Sequence, residues 1–282
     1  MCYNVNIQKT KTEKETNKMK KIISLILCVA LCFTLGLALT SCGDDAKGKT
    51  LQEVKDAGEL VIATSPDFPP FENLVGTEVV GIEIEIMQEI CEKLGVELKI
   101  EQIVFDSVLP GVQACKYDAG VSGITVTEER KENTLFSDVY YVAAQAIVVK
   151  ADSAIASKAD LAGKKMSAQA GTTAESYCIE EYGSDKVQLF EANADAKLAL
   201  LNGTVEAWVV DDLTAKQMCK DDASVKILSE KMTEEPYAFA FAFGSEDLVE
   251  EINKILADLI ADGTVAEIFA KYGEAYSAPA NN

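Results

Sequence analysis

Two successive series of alternating strand-like and helix-like segments constrain the fold of this 282-residue chain more than any other feature. Residues 59–64 (ELVIAT) are a short apolar run of the kind that forms a buried strand. In 81–94, Ile86, Ile90 and Leu94 recur at helical spacing. Alternation of such segments is typical of α/β architecture, in which helices cover a largely parallel sheet. The pattern therefore predicts two α/β lobes followed by a helical C-terminal segment.

The other elements are predicted by the same criteria. Strands are expected at 98–105, 119–124, 164–169, 186–190, 205–210 and 237–241. Helices are expected at 107–116, 172–182, 194–202, 213–220, 248–262 and 265–272. A chain of this length, with 48% hydrophobic residues, can form one large domain or two smaller ones, each with its own core.

The N-terminal segment has the pattern of a signal peptide. Lys20 and Lys21 form a basic region, and an apolar run follows at 22–39. The run is also long enough for a transmembrane helix. The residues that follow it favour the signal peptide.

Residues 39–42 (LTSC) resemble the lipobox of bacterial lipoproteins, in which small residues precede a cysteine that becomes the lipidated N-terminus. We therefore predict a signal peptide at 1–41, with Met19 as an alternative start, and a lipidated tether at 42–50. Lipid on Cys42 would hold the protein at the extracytoplasmic face of the cytoplasmic membrane without spanning it.

The composition argues against several classes of function. A formal net charge of −20 opposes binding to nucleic acid or to anionic lipid. The absence of histidine excludes a Ser-His or Cys-His nucleophile pair and most zinc sites. We therefore expect a binding protein without a metal or cofactor rather than an enzyme, although an enzyme that uses only carboxylates stays open.

Arg130 is the only arginine among 26 basic residues. A planar guanidinium binds a carboxylate through two parallel hydrogen bonds, which a lysine ammonium cannot do. The alternative is a bias of composition with no functional meaning. The first interpretation makes Arg130 a candidate for binding an anionic group.

Four cysteines follow Cys42: Cys91, Cys115, Cys178 and Cys219. An exported protein can form disulfides, and four cysteines allow three pairings, among which the sequence does not choose. Each of them lies in a helix-like stretch, which favours buried free thiols.

Seven segments identify a family when they occur together and in this order. They are 64–72 (TSPDFPPFE), 105–110 (FDSVLP), 116–130 (KYDAGVSGITVTEER), 136–141 (FSDVYY), 171–173 (GTT), 206–212 (EAWVVDD) and 261–272 (ADGTVAEIFAKY). Together they resemble the polar amino-acid solute-binding family of bacterial ABC importers. The resemblance implies a two-lobed, periplasmic-binding-protein-like type II fold, in which two hinge crossings let the lobes close on a ligand.

The resemblance also implies boundaries along the chain. Lobe 1 is expected at 51–141 and 237–274, lobe 2 at 148–231, the hinge at 142–147 and 232–236, and a tail at 275–282. The implied partners are a free amino acid and the permease subunits of the importer, with the protein acting as a monomer.

The family's residues that bind the backbone groups of the ligand have counterparts here. The ligand carboxylate is expected to bind Arg130, Thr125, Thr173 and Ser122, and the ligand ammonium to bind Asp211 and Ser122.

Local structural roles compete with some of these assignments. Thr125 or Thr127 could instead cap a helix, and Thr172 with Glu175 forms a capping-box pattern. Asp212 is the expected N-cap of the helix at 213–220, and the reverse assignment of Asp211 and Asp212 stays open.

The ligand side chain is expected to contact Phe68, Phe105, Ser65, Glu72 and Gln169. Family members that bind basic amino acids often have an acidic residue at the position of Ser65. Here Glu72 or Asp67, from the same loop, could supply that negative charge. Gln169 suits an amide or a guanidinium. Glu83 and Glu85 replace the usual aspartates and are expected to lie outside the pocket.

These features rank a cationic ligand first, with arginine ahead of lysine. Glutamine or another neutral polar amino acid follows, and cystine comes third. Two other classes of function remain: a secreted dehydratase that uses Glu72 or Asp67 as its acid–base, and the ligand-sensing subunit of a receptor.

Overall fold

The computed structural model describes residues 47–279. The signal peptide expected at 1–41 and the lipidation expected on Cys42 lie outside the described residues, as does the end of the expected tail at 280–282. Within 47–279, no helix is both long enough and apolar enough to cross a membrane.

Nine helices and fifteen strands make up the described part of the chain. The helices are α1 (Leu51–Ala57), α2 (Ile82–Leu94), α3 (Val108–Gln113), α4 (Glu128–Lys131), α5 (Thr173–Tyr182), α6 (Asn193–Leu201), α7 (Asp212–Cys219), α8 (Glu246–Ala261) and α9 (Thr264–Lys271). The strands are β1 (Glu59–Thr64), β2 (Asp67–Phe68), β3 (Glu72–Val75), β4 (Glu78–Val80), β5 (Glu97–Gln102), β6 (Ala119–Gly120), β7 (Leu135–Phe136), β8 (Tyr141–Ala143), β9 (Gln145–Lys150), β10 (Met166–Gln169), β11 (Val187–Phe190), β12 (Ala207–Asp211), β13 (Val225–Lys231), β14 (Glu235–Tyr237) and β15 (Ala240–Phe241).

The sheet of lobe 1 has the strand order β5-β1-β6-β15-β7. Strand β1 pairs in parallel with β5 and β6, whereas β15 runs antiparallel to β6 and β7. One face of α2 is buried, including Ile86 and Ile90, and it packs in the same core as Leu60 of β1 and Phe269 of α9. The apolar residues at helical spacing therefore form the core of this lobe.

The sheet of lobe 2 has the strand order β11-β10-β12-β9-β13. Its central strands are buried on both faces, because successive side chains of a strand point to opposite sides of the sheet. Val149 and Val209 belong to one buried cluster, whereas Val148 and Trp208 belong to another. Helices therefore cover both faces, as the alternating pattern predicts.

The chain passes between the two sheets through β8 and β14, which pair antiparallel to each other. Strand β9 follows β8 directly and enters the second sheet, and β15 returns to the first. The predicted two-lobed α/β fold is confirmed.

The described parts of the expected tether and of the expected tail make contacts with lobe 1. The Gly48 N–H donates to Phe243 O at 2.9 Å, and Lys49 pairs with Asp118 at 3.0 Å. Near the C-terminus, the Tyr276 hydroxyl donates to Tyr140 O at 2.9 Å.

The four cysteines of residues 47–279 are free thiols. Cys91 and Cys178 are buried, and burial raises the pKa of each thiol to about 12. Both are therefore neutral, unreactive side chains at physiological pH.

Candidate functional site

A cavity lies between the lobes, next to the carboxyl ends of β10 and β12. Lobe 1 contributes Phe68, Phe105, Ser122, Gly123, Thr125 and Arg130. Lobe 2 contributes Gln169, Thr172, Thr173, Ala174, Asn193, Val209, Val210 and Asp211. Eight of the ten predicted ligand-contacting residues therefore line one cavity, and Ser65 and Glu72 do not.

Arg130 is held by contacts with both lobes. Thr127 caps α4 by accepting the Arg130 N–H at 3.1 Å. The guanidinium donates from Nη1 to Thr125 O at 2.8 Å and from Nη2 to Gly171 O at 3.0 Å. Its Cζ lies 6.0 Å from the centroid of the Phe105 ring, the outer limit for attraction between a cation and a ring face.

Burial lowers the pKa of Arg130, and the nearby carboxylates of Glu235 and Asp211 oppose this shift. A desolvated guanidinium gains more from a carboxylate partner than one in water does. The position of Arg130 therefore suits the binding of an anionic group.

The Ser122–Gly123 turn follows β6, where the predicted strand at 119–124 ends early. Gly123 has a φ of +56°, and a Cβ at this position would lie 2.7 Å from Phe68 Cε1. Both the left-handed backbone and the close ring require glycine. The turn brings Ser122, Gly123 and Thr125 to the cavity.

The start of α5 forms the lobe 2 side of the cavity. Thr172 caps the helix by accepting the Glu175 N–H at 3.2 Å, as predicted. The Glu175 carboxylate accepts the Gly171 N–H at 2.6 Å and not that of Thr172, so the capping box is only half formed. The helix N-terminus leaves backbone N–H groups of its first turn available to an anion in the cavity.

The Thr173 side chain points toward the crossing strands. Its hydroxyl donates to Glu235 of β14 at 2.7 Å and accepts from Gln145 of β9 at 2.9 Å. Glu235 is 2% exposed and also accepts the Thr233 hydroxyl. Thr173 thus links the cavity wall to both strands next to the crossing.

Asp211 ends β12 and is 8% exposed. Its carboxylate accepts the Tyr237 hydroxyl. Burial, followed by repulsion from Glu235, raises the pKa of Asp211 to about 7. This carboxyl group therefore gains by meeting a cation, since a positive partner would favour its charged form.

The prediction that Asp212 is an N-cap is wrong. Helix α7 begins at Asp212 itself, and Asp211 occupies the N-cap position without a side-chain hydrogen bond to the helix. Asp212 accepts the N–H of Leu213 at 2.9 Å and pairs with Lys231 at 2.6 Å. The helix starts one residue earlier than its apolar pattern indicates, because Asp212 continues the helical backbone.

Gln169 lines the cavity from the end of β10 and is 2% exposed. Its Nε2 donates to Asp67 at 3.1 Å and to Glu191 O at 2.9 Å, and its Oε1 accepts from Asn193 Nδ2 at 2.8 Å. The amide nitrogen of Gln169 is therefore already occupied, and a ligand would meet the acceptor side of the Gln169–Asn193 pair.

Ser65 and Glu72 lie behind the cavity wall. The Ser65 hydroxyl donates to Asp67 at 2.8 Å. Glu72 is 0% exposed and accepts the Ser122 hydroxyl at 3.0 Å. In this arrangement the Glu72 carboxyl group supports the wall and does not face a ligand side chain. Glu83, which was expected to lie outside the pocket and to affect only solvation or a lobe contact, is also fully buried.

Sequence reasoning missed three residues of this region. Asn193 lines the cavity from the start of α6, Tyr237 binds Asp211, and Glu235 binds Thr173. Only Asn193 has a local signal, since asparagine is common at helix starts. The other two contacts join residues that are 26 and 62 positions apart.

Two α/β lobes, two crossings and a polar cavity between the lobes define a two-lobed solute-binding protein. The chain belongs to the bacterial extracellular solute-binding proteins, family 3, whose sequence pattern matches residues 60–275. The fold is shared with type II periplasmic amino-acid-binding proteins.

Three similar proteins bind amino acids. The arginine-binding extracellular protein ArtP of Bacillus subtilis (strain 168) is 33% identical over 254 residues, which cover 88% of this chain and 96% of ArtP. The ABC transporter glutamine-binding protein GlnH of the same organism is 32% identical over 266 residues, covering 90% and 97%. The arginine-bound form of truncated ArgBP from T. maritima superposes with a TM-score of 0.70 at 38% identity, covering 74% and 99%.

Proposed function

We propose that this protein is the substrate-binding lipoprotein of an ABC importer and that it captures a cationic amino acid, arginine ahead of lysine. The observation that carries this proposal is that Arg130 of lobe 1 and Asp211 of lobe 2 line the same cavity. A free amino acid has a carboxylate and an ammonium at fixed spacing, which match these two side chains in charge. Closure of the lobes would bring both contacts to one ligand.

The charges around the cavity support a ligand with more than one positive group. Arg130 is a cation of the cavity wall, and Asp211 is an anion of it. Two further carboxylates contact wall residues: Asp67 binds Gln169, and Glu235 binds Thr173. One carboxylate and two cationic groups on the ligand would balance this set better than a neutral side chain.

The aromatic and amide groups support the same ligand class. Phe68 and Phe105 offer ring faces to a cationic side chain. Gln169 presents an acceptor because Asp67 and Glu191 occupy its amide nitrogen. A guanidinium has donors only, so it fits the acceptor that Gln169 presents.

Glutamine is the second candidate. The Gln169–Asn193 amide pair can also hydrogen-bond a side-chain amide, and GlnH is 32% identical to this chain. Glutamine differs from arginine in the charge of its side chain, so the binding experiment distinguishes the two ligands.

Thermal unfolding of the purified protein against all twenty amino acids, ornithine and cystine tests the proposal. A ligand at about 1,000 times its Kd adds about 4 kcal/mol to the stability of the native state. The unfolding midpoint should rise by several degrees with arginine, less with lysine, and not with glutamate. A rise with glutamine alone would reject the cationic ligand, and no rise in folded, ligand-free protein would reject amino-acid binding.

The lipid anchor has its own test. We propose that Cys42 carries the lipid and that the protein fractionates with membranes in a bacterial host. Cys42→Ala should release the protein into the soluble fraction without changing its affinity for the amino acid. Membrane retention of this variant would contradict the anchor.

A further inference from the structure

Two fully buried glutamates lie directly behind the turn that lines the cavity. Glu72 belongs to β3 and Glu83 to the first turn of α2, and both are 0% exposed. The Glu83 carboxyl group accepts the Gly123 N–H at 2.9 Å and the Tyr140 hydroxyl. The Glu72 Oε1 accepts the Ser122 hydroxyl at 3.0 Å. Each carboxyl group therefore holds one residue of the Ser122–Gly123 turn.

The second oxygen of Glu72 is the feature that bears on the protonation of this pair. Glu72 Oε2 is buried, and no donor group within 47–279 reaches it. The Glu83 carboxyl group lies within hydrogen-bonding reach of the Glu72 carboxyl group. Two carboxylates are acceptors only, so they can bond to each other only when one of them is protonated. A proton on Glu72 completes the network, since both oxygens of Glu83 already accept from other groups.

The surroundings of the pair favour retention of that proton. Burial, followed by repulsion from Glu83, raises the pKa of Glu72 well above its usual range, and burial also raises the pKa of Glu83. Asp67 adds further negative charge near Glu72, and Tyr140 is the other titratable group at Glu83. The groups with the largest effects on these two pKa values are carboxyl, hydroxyl and backbone N–H groups rather than lysine or arginine.

We propose that Glu72 and Glu83 share one proton and that this proton-bridged pair positions the Ser122–Gly123 turn for ligand binding. The inference rests on the proposed function, because it takes the turn to be part of an amino-acid site. Neither glutamate touches the ligand in this scheme; both act as positioning residues through the backbone of Gly123 and the hydroxyl of Ser122.

The pair makes ligand affinity depend on pH on the alkaline side. Loss of the shared proton would leave two carboxylates facing each other without solvent, and their repulsion would displace the turn. The contribution of the pair to affinity should be complete below its raised pKa, and affinity should fall by up to about tenfold per pH unit above it, as expected for the loss of one proton.

Infrared spectroscopy of the purified, folded protein tests the proton directly and needs no ligand. At neutral pH we expect a C=O stretching band from a protonated carboxyl group, which disappears reversibly as the pH rises and is reduced in Glu72→Gln. The inference would be overturned if the folded wild-type protein showed, at neutral pH, no protonated-carboxyl band that Glu72→Gln reduces.

Isothermal titration with arginine between pH 7 and pH 10 tests the positioning role. Glu72→Gln replaces the protonated acid with an amide that donates permanently to Glu83. We expect its Kd to lie within about threefold of the wild-type value at pH 7 and at least about tenfold below it at pH 10. The titration of the ligand ammonium is common to both proteins and cancels in the ratio of their Kd values.

Glu85→Gln is the matched control, since Glu85 lies on the same helix and pairs with Lys271 at 2.7 Å. Its pH profile should follow that of the wild type. Identical alkaline profiles for Glu72→Gln and the wild type would overturn the positioning role. Binding of no amino acid at any pH would overturn the proposed function, whereas a binding-competent protein without an infrared band that Glu72→Gln reduces would overturn only the shared proton.

Discussion

The carboxylate of Asp67 accepts the backbone N–H of Asn193 at 2.7 Å, although 126 residues separate the two. Asp67 belongs to β2 of lobe 1, and Asn193 begins α6 of lobe 2. The same carboxylate accepts Gln169 Nε2 at 3.1 Å. These bonds join the two lobes, and the positive end of the helix dipole at the start of α6 strengthens the bond to Asn193.

We predict that Asp67→Ala lowers the closed fraction of the ligand-free protein and weakens ligand binding by about tenfold. The reason is that hydrogen bonds to a charged group contribute about 1.5–3 kcal/mol each, and separation of the lobes would break the two that join them here. Small-angle X-ray scattering should show a larger radius of gyration without ligand and the wild-type value at saturation.

Asp185→Ala is the control for this prediction, because Asp185 is an exposed residue whose ion-pair partner is its neighbour Lys186. An unchanged radius of gyration and Kd for Asp67→Ala would show that these bonds do not hold the lobes together.

We predict that Arg130→Ala raises the Kd for the amino acid by roughly 10- to 150-fold, equivalent to about 1.5–3 kcal/mol. Arg130→Lys should recover only part of this loss, because an ammonium cannot bind a carboxylate through two parallel bonds. Isothermal titration of both variants gives the values. Lys131→Ala is the adjacent control, since Lys131 pairs on the surface with Glu128 at 2.8 Å. Equal affinity in Arg130→Ala and the wild type would remove Arg130 from the site.

The sequence predicted the fold better than it predicted the contacts between lobes. Strand β1 (Glu59–Thr64) has the predicted bounds, because its apolar run ends where polar residues and prolines begin. Strand β13 (Val225–Lys231) was missed because it lies at the edge of the sheet, where only Val225 is buried and the other residues alternate between half-buried and exposed. Its two polar lysines and a register shift weaken the apolar pattern further.

The candidate site also contains residues that the sequence predicted and contacts that it did not. Arg130, Thr173 and Asp211 lie in motifs that can be read locally, and all three line the cavity. The positions of Glu72 and Glu83 depend on how β3 and α2 pack behind the Ser122–Gly123 turn. Nothing in a local pattern determines which of two neighbouring acidic residues faces a cavity and which faces the core, so these contacts required the structure.

We predict that ligand affinity rises with pH between pH 6 and pH 8 because of Asp211. Its pKa in the ligand-free protein is about 7, and an ammonium ligand favours the charged carboxylate. Below pH 7 a proton must leave on binding, so the Kd at pH 6 should be about tenfold higher than at pH 8. Asp211→Asn should bind more weakly at both values and lose this pH dependence.

The stability of the ligand-free protein should change in the opposite direction. A carboxyl group with a raised folded-state pKa stabilises the fold fully below its unfolded-state pKa, and this contribution is lost as the pH rises toward about 7. The difference in unfolding free energy between wild type and Asp211→Asn should therefore shift against the wild type from pH 4 to pH 7. A constant difference would place the pKa of Asp211 near its ordinary value.

We predict that Gly171→Ala prevents full closure of the lobes. Gly171 has a φ of +78°, and a Cβ there would lie 2.8 Å from Asp106 Cα in the opposite lobe. Gly163→Ala is the matched control, since Gly163 has a φ of +76° and no neighbouring atom within 4 Å of an added Cβ. Both variants should lose about 1–2 kcal/mol of unfolding free energy from the left-handed backbone. Only Gly171→Ala should also weaken ligand binding, because the added methyl group separates the Gly171 carbonyl from the Arg130 guanidinium that holds it at 3.0 Å. Equal losses of affinity in the two variants would mean that backbone strain, and not contact between the lobes, limits binding.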